Sequence, residues 1–204
     1  TLTLGSTVRQ AGYVSGSGSS ALVFRYPVQA GETDADGIAL ASPIDLNGGT
    51  IKDASENNAA LTFSAPNTSQ VLVDTTAPTI VIGAPSAATV RGGPVTFTVT
   101  YADADFDTST LTESNITLNR GGTANGTVNV TGSGTSYTVT LSTITGDGTL
   151  GITVPTGRAS DKAGNFAPAA TSSTFVVDNT APSVTISAPS ATVTRPASET
   201  YTVT

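Results

Sequence analysis

Three short stretches concentrate the carboxylates of this chain: GETDADG at 31–37, DADFD at 103–107 and DKAGN at 161–165. They supply Glu32, Asp34 and Asp36, then Asp103, Asp105 and Asp107, then Asp161 followed by Asn165, while Asp74 stands alone in VDTTAP. Oxygen donors drawn from several loops suit a hard cation. Ca²⁺ takes six to eight oxygen ligands at about 2.3–2.6 Å and tolerates an irregular cage. An ion held between two segments would stiffen their joint, and without it the like charges would oppose one another. Asp147 in TGDG and Asp178 in VDNTAP form a sparser set in which the same logic predicts a second calcium junction.

Other chemistry fits these residues poorly. The spacing E-x-D-x-D-G at 32–37 resembles the start of a helix-flanked calcium loop, yet its twelfth position is Pro43 instead of Glu and no flanking helix is predicted. GSGSSA at 16–21 matches a dinucleotide fingerprint, but that motif needs a helix after it and here a strand follows. The chain has no His and no Cys, which removes the commonest general base, thiol catalysis, disulfides and Cys-ligated zinc. Paired carboxylates such as Asp103 and Asp105 can serve glycoside hydrolysis, but there is no Trp to stack a sugar. The expectation is a protein that is not an enzyme. Asn67, Asn115, Asn125 and Asn129 open N-x-[ST] matches that a Thr- and Ser-rich chain produces by chance, and Lys52 and Lys162 fall in predicted loops where an internal Lys–Asn bond is not expected.

The elements that must position the acidic loops are strands. Among 204 residues, Thr, Ala, Ser, Gly and Val are the commonest; Thr and Val suit half-buried strands, and Gly and Ser suit tight turns. With 15 acidic against 8 basic side chains the net charge is −7, which repels phosphate backbones and argues against nucleic acid as a partner. No apolar run reaches 18 residues, so no membrane span is predicted, and the start at Thr1 without a leader-like segment reads as a mature or excised piece.

A repeat sets the organisation. Residues 74–100 and 178–204 align at an offset of 104 with 14 of 27 positions identical, sharing TAP, APSA, an Arg and T-x-T-V-T. An offset of this size is that of a whole domain. Residues 75–178 predict seven strands, at 79–82, 95–101, 115–119, 127–131, 136–142, 149–154 and 174–177, with a hairpin across GSG at 132–134. Seven short strands in about 100 residues predict an Ig-like sandwich. Residues 1–74 read as the last five strands of such a unit, at 1–4, 8–14, 21–26, within 38–46, and at 61–63 with 71–73, without its first two. Residues 179–204 read as the first two strands of a third. The fold class is therefore all-β, tandem Ig-like β-sandwich domains, one complete and flanked by two partial. On the sandwich plan, the loop at 31–37, the loop at 103–107 and the turn at 161–165 converge on Asp74, placing 8 of the 15 acidic residues at one junction.

VDTTAP and VDNTAP linkers, each followed by a strand, and the closing ASDKAGN at 159–165 resemble bacterial Ig-like repeats of large secreted adhesins and biofilm-associated surface proteins. Residues 13–38 and LNGGTIKDASENNA at 46–59 are similar to related cadherin-like or Ig-like repeats, departing at Glu56 where the other copy has Gly164. The resemblance implies a secreted or cell-surface location and a spacer role, with neighbouring repeats of the same chain as partners. Two readings of the partial ends stay open. They are a window on a longer array, or the tail of one subunit completes the head of the next in a filament built by strand donation. A ligand-binding tip would need an exposed aromatic or apolar patch that the sequence does not announce.

Overall fold

The computed structural model describes residues 1–190 and 200–204. Among these the chain is all-β, and one 3₁₀ turn at Glu113–Asn115 is its only helical element.

Residues 1–74 form seven short strands: β1 (Leu2–Leu4), β2 (Thr7–Arg9), β3 (Gly12–Ser15), β4 (Val23–Arg25), β5 (Thr33–Asp34), β6 (Ala39–Leu40) and β7 (Val73–Asp74). They pair as β2-β1-β6, β3-β4 and β5-β7. The predicted strand at 8–14 is broken at Gln10-Ala11, and 61–63 stays outside any strand. Pro43 lies inside the predicted strand 38–46 and has no N–H for a ladder, so only Ala39–Leu40 pairs as strand. GSGSSA is the turn of the β3–β4 hairpin: Gly16 has φ +108, and a Cβ there would fall 1.9 Å from the Ala21 carbonyl oxygen.

Residues 75–178 carry β8 (Thr79–Ile82), β9 (Thr89–Val90), β10 (Val95–Ala102), β11 (Phe106–Ser109), β12 (Thr117–Gly122), β13 (Asn125–Ser133), β14 (Ser136–Thr145), β15 (Gly148–Val154), β16 (Ala159–Asp161), β17 (Ala170–Thr171) and β18 (Phe175–Val177). One sheet runs β13-β14-β10-β8, and a second runs β12-β15-β18-β9 with β17 also on β15. The period-2 pattern of VTFTVTYA sends Val95, Phe97, Val99 and Tyr101 inward, and β14 answers with Tyr137, Val139 and Leu141. From the second sheet come Leu150, Ile152, Val154, Phe175 and Val177, and the Phe97 and Phe175 rings meet at 6.2 Å across the gap. Two sheets thus close over one apolar core, a sandwich-like arrangement.

Four of the eleven strands were not expected: β9, β11, β16 and β17 have two to four residues each, too short for a periodic signal. The third predicted strand, 115–119, begins later than its pattern suggests. The Asn115 side chain accepts a hydrogen bond from the Thr112 N–H at 2.9 Å, closing a 3₁₀ turn before β12 starts. β14 changes phase at Thr143, whose φ of +50 moves the next inward side chain to Ile144.

In residues 179–204 an isolated antiparallel bridge joins Ile186 to Val203. The rest of the two predicted strands includes residues 191–199, which lie outside the described residues.

Candidate metal centre at the Asp74 junction

Asp74 is the last residue of β7 and the hinge between two ladders. β7 pairs antiparallel with β5, Asp34 opposite Val73 and Thr33 opposite Asp74, and five residues later the chain enters β8. The linker is held in place. Thr75 Oγ1 donates to the Glu32 carbonyl at 3.0 Å and accepts the Gly31 N–H at 2.8 Å, while Asp74 Oδ1 accepts the Thr76 N–H at 2.8 Å. Pro78 restricts Ala77 as well as itself, so the entry to β8 has little freedom.

Two further carboxylates reach this point. β10 ends at Ala102, and the next residue, Asp103, turns the chain by accepting the Asp105 N–H at 2.8 Å. β16 ends at Asp161, whose two oxygens accept the Asn165 N–H and the Asn165 side-chain amide, both at 2.8 Å. The same amide donates to the Asp74 carbonyl at 3.1 Å, tying the turn to the linker. One oxygen from each of Asp74, Asp103 and Asp161 falls within 4.8 Å of the others.

Asp161 is 2% exposed. Burial pushes its carboxyl up, but the side-chain and backbone N–H of Asn165, with those of Gly164 and Ala163, outweigh that and hold it below the ordinary value. It is therefore a buried anion at neutral pH. Among the described residues no Lys or Arg pairs with any of the three: Lys162 goes to Asp105 at 3.7 Å, Arg9 to Glu32 and Lys52 to Glu56.

The other acidic residues expected here are placed elsewhere. Asp34 is 3% exposed, and its oxygens take the Gly5, Asp36 and Gly37 N–H groups, so it organises its own loop beside β7. Asp36, Asp105 and Asp107 are exposed. Glu32 is nearly buried and binds Arg9, the Tyr26 hydroxyl and the Gln29 N–H; the Gln29 bond foremost, then Tyr26, brings its carboxyl down to about 2. Around Asp178, Asp147 accepts the Asn179 N–H at 2.5 Å and the Thr180 hydroxyl at 2.9 Å, and Asp178 accepts the Thr180 N–H at 3.0 Å, so that linker too is fastened through a carboxylate.

One side-chain pair was not singled out in the sequence, although its stretch was compared with 159–165. Asp53 and Asn57 reproduce the Asp161–Asn165 turn: Asp53 accepts the Asn57 N–H and side-chain amide, both at 2.9 Å, and the bridge Lys52–Asn58 matches Ser160–Phe166. Glu56 takes φ +68 where Gly164 has +88, so the loop keeps its shape despite the departure. The readable signal was the Asp-x-x-x-Asn spacing common to both.

Searched against protein families, curated proteins and solved structures, the chain matches none.

The donor set is made of hard oxygens, one carboxylate oxygen each from Asp74, Asp103 and Asp161. It suits Ca²⁺, or a smaller oxygen-preferring cation, and offers nothing to a soft metal.

Proposed function

We propose that this chain is a mechanical segment of a secreted bacterial surface protein, built of tandem Ig-like units, whose joint at Asp74 is locked by calcium. The observation that carries the reading is the convergence of Asp74, Asp103 and Asp161, three carboxylates with no Lys or Arg partner among the described residues, of which one belongs to the linker and two to loops at one end of the following sandwich. In this reading an ion clamps the linker onto residues 75–178, and the β5–β7 ladder passes that constraint to residues 1–74. Neighbouring repeats of the same chain are its partners, and the role is structural, not catalytic. The strand order of residues 75–178, with β10 between β8 and β14 in one sheet and β15 between β12 and β18 in the other, supports an Ig-like plan.

Small-angle X-ray scattering with calcium titration tests this. The expected result is saturable calcium binding and a longer, stiffer particle in millimolar calcium than in chelator. A particle indifferent to chelator, with no heat of binding, would sink the calcium clamp.

A further inference from the structure

The two main sheets of residues 75–178 end in four edge strands, and three of these are blunted by their own sequence. β8 has four residues and is entered from Pro78, β9 has two and runs into Arg91, and β12 carries Arg120. β13 is different. It is nine residues long, reads NGTVNVTGS with no charge and no proline, and has no strand on its outer side among the described residues. A long neutral edge is a template for a further strand.

A charge reaches this edge from another element. Glu113, exposed in the 3₁₀ turn before β12, accepts the Val130 N–H at 3.2 Å and the Asn129 side-chain amide at 3.4 Å. Its own backbone N–H, and after it that of Val130, hold the carboxyl below the ordinary value, so the group is an anion at neutral pH. The bond to Val130 also shows which way the strand faces. Val130 turns its N–H away from β14, and by alternation Val128 does the same, while Thr127, Asn129 and Thr131 turn theirs towards it. Side chains alternate in step: Val128 and Val130 pack against the core, and Thr127, Asn129 and Thr131 stand on the solvent face.

The strand reads the same in both directions. GTVNVTG at 126–132 is a palindrome about Asn129. Antiparallel pairing about a two-fold axis sets each residue against its mirror position in the other copy, and the central residue against itself. Centred on Asn129, such pairing sets Val128 opposite Val130, Thr127 opposite Thr131 and Asn129 opposite its own counterpart. Each is a match of like with like, Val on the core face and Thr and Asn on the solvent face. The register is also the one that the outward backbone groups require. Val128 and Val130 of opposite copies exchange both N–H···O bonds, because both point away from β14. The palindrome singles out a second copy as the occupant, since a strand of another sequence has no use for it.

We propose that β13 is a guarded interface for a second copy of this chain: Glu113, seated on Val130, keeps the edge closed, and its displacement lets two β13 strands pair antiparallel about Asn129. The contact is isologous and closes at the dimer, joining two four-stranded sheets into one. It lies within residues 75–178, away from the Asp74 trio, and does not depend on the calcium reading.

The test is the solution mass of the full chain and of its Glu113→Ala variant by light scattering, in chelator, from low micromolar to near-millimolar concentration. The variant alters an exposed side chain; it should reach twice 20.2 kDa and stop there, at concentrations where wild type stays monomeric. In that background, Asn129→Lys alone or Asn129→Glu alone should abolish the dimer, because like charges meet across the two-fold axis, and mixing the two should restore it. The backbone amides of Val128 and Val130 should exchange at least about tenfold more slowly in the dimer, with those of β8 unchanged. A Glu113→Ala chain that stays monomeric throughout would overturn the proposal. So would equal association of wild type, a mass that climbs past the dimer, protection confined to other strands, or charge variants that associate as well singly as mixed.

Discussion

Asp161 holds the centre of the candidate metal site together, and replacing it separates charge from shape. Asp161→Asn keeps one oxygen to accept the Asn165 N–H but removes the buried negative charge. Calcium affinity, read by calorimetry, is expected to fall at least about tenfold, roughly 1.4 kcal/mol. Asp107→Asn, at an exposed residue outside the trio, should leave it unchanged. Gly164 tests the turn itself. It has φ +88 with nothing within 4 Å of a would-be Cβ, so the cost of Gly164→Ala is conformational alone, about 1 kcal/mol in a denaturant melt. Glu56 at φ +68 shows that the same turn tolerates a side chain, and Glu56→Gly should shift stability in the opposite sense.

At the scale of elements, the long strands were legible and the short ones were not. VTFTVTYA announces β10 because its alternation lasts eight residues, and the first predicted strand coincides with β8. β11 and β16 have no such pattern; they exist because the loops after β10 and β15 lie side by side, a tertiary fact. The acidic cluster was legible only as a neighbourhood. Eight carboxylates, Asp74 among them, were expected at this junction, and three come within 4.8 Å of one another, because Arg9, Tyr26 and Gln29 take Glu32, backbone N–H groups claim Asp34, Lys162 draws Asp105, and Asp36 and Asp107 are exposed. Nor could the sequence foretell that β10 buries a hydroxyl without a partner. Tyr101 is 2% exposed, its OH bonds to nothing among the described residues, and burial pushes it up to about 12. Tyr101→Phe should therefore leave stability unchanged or raise it by up to about 1 kcal/mol, since it deletes an unsatisfied polar group and keeps the ring against Tyr137. A loss of stability in a thermal melt would show that the hydroxyl has a partner; Tyr137 and Arg158 both act on it electrostatically, and the Arg158 Nε is likewise buried without a hydrogen bond among the described residues.

For the whole molecule, stability is unevenly spread, and this decides how it unfolds. Residues 75–178 bury a continuous core between two sheets, whereas residues 1–74 bury Leu2 and Leu4 and lean on polar contacts. Burial of apolar surface is the main favourable term in folding, so the two segments should not melt together. Denaturant unfolding of the monomer is expected in two steps, residues 1–74 first, with amides of β1, β3 and β4 exchanging well before those of β10 and β14. Acid should widen the gap. The Glu32 carboxyl lies near 2 in the folded chain against an ordinary value of 4.5, so its contribution is complete above about 4.5 and is lost as pH falls towards 2. That carboxylate joins Arg9, Tyr26 and Gln29, three points of the first segment, and has no counterpart in the core of the second. The first transition should therefore move to lower denaturant between pH 4.5 and 2, while Glu32→Gln flattens most of that shift and leaves the second transition where it was. A single cooperative transition at every pH would mean that the β5–β7 ladder and the Asp74 linker couple the two segments more strongly than their separate cores suggest. In that case Asp161→Asn, which loosens the linker, should split the transition in two.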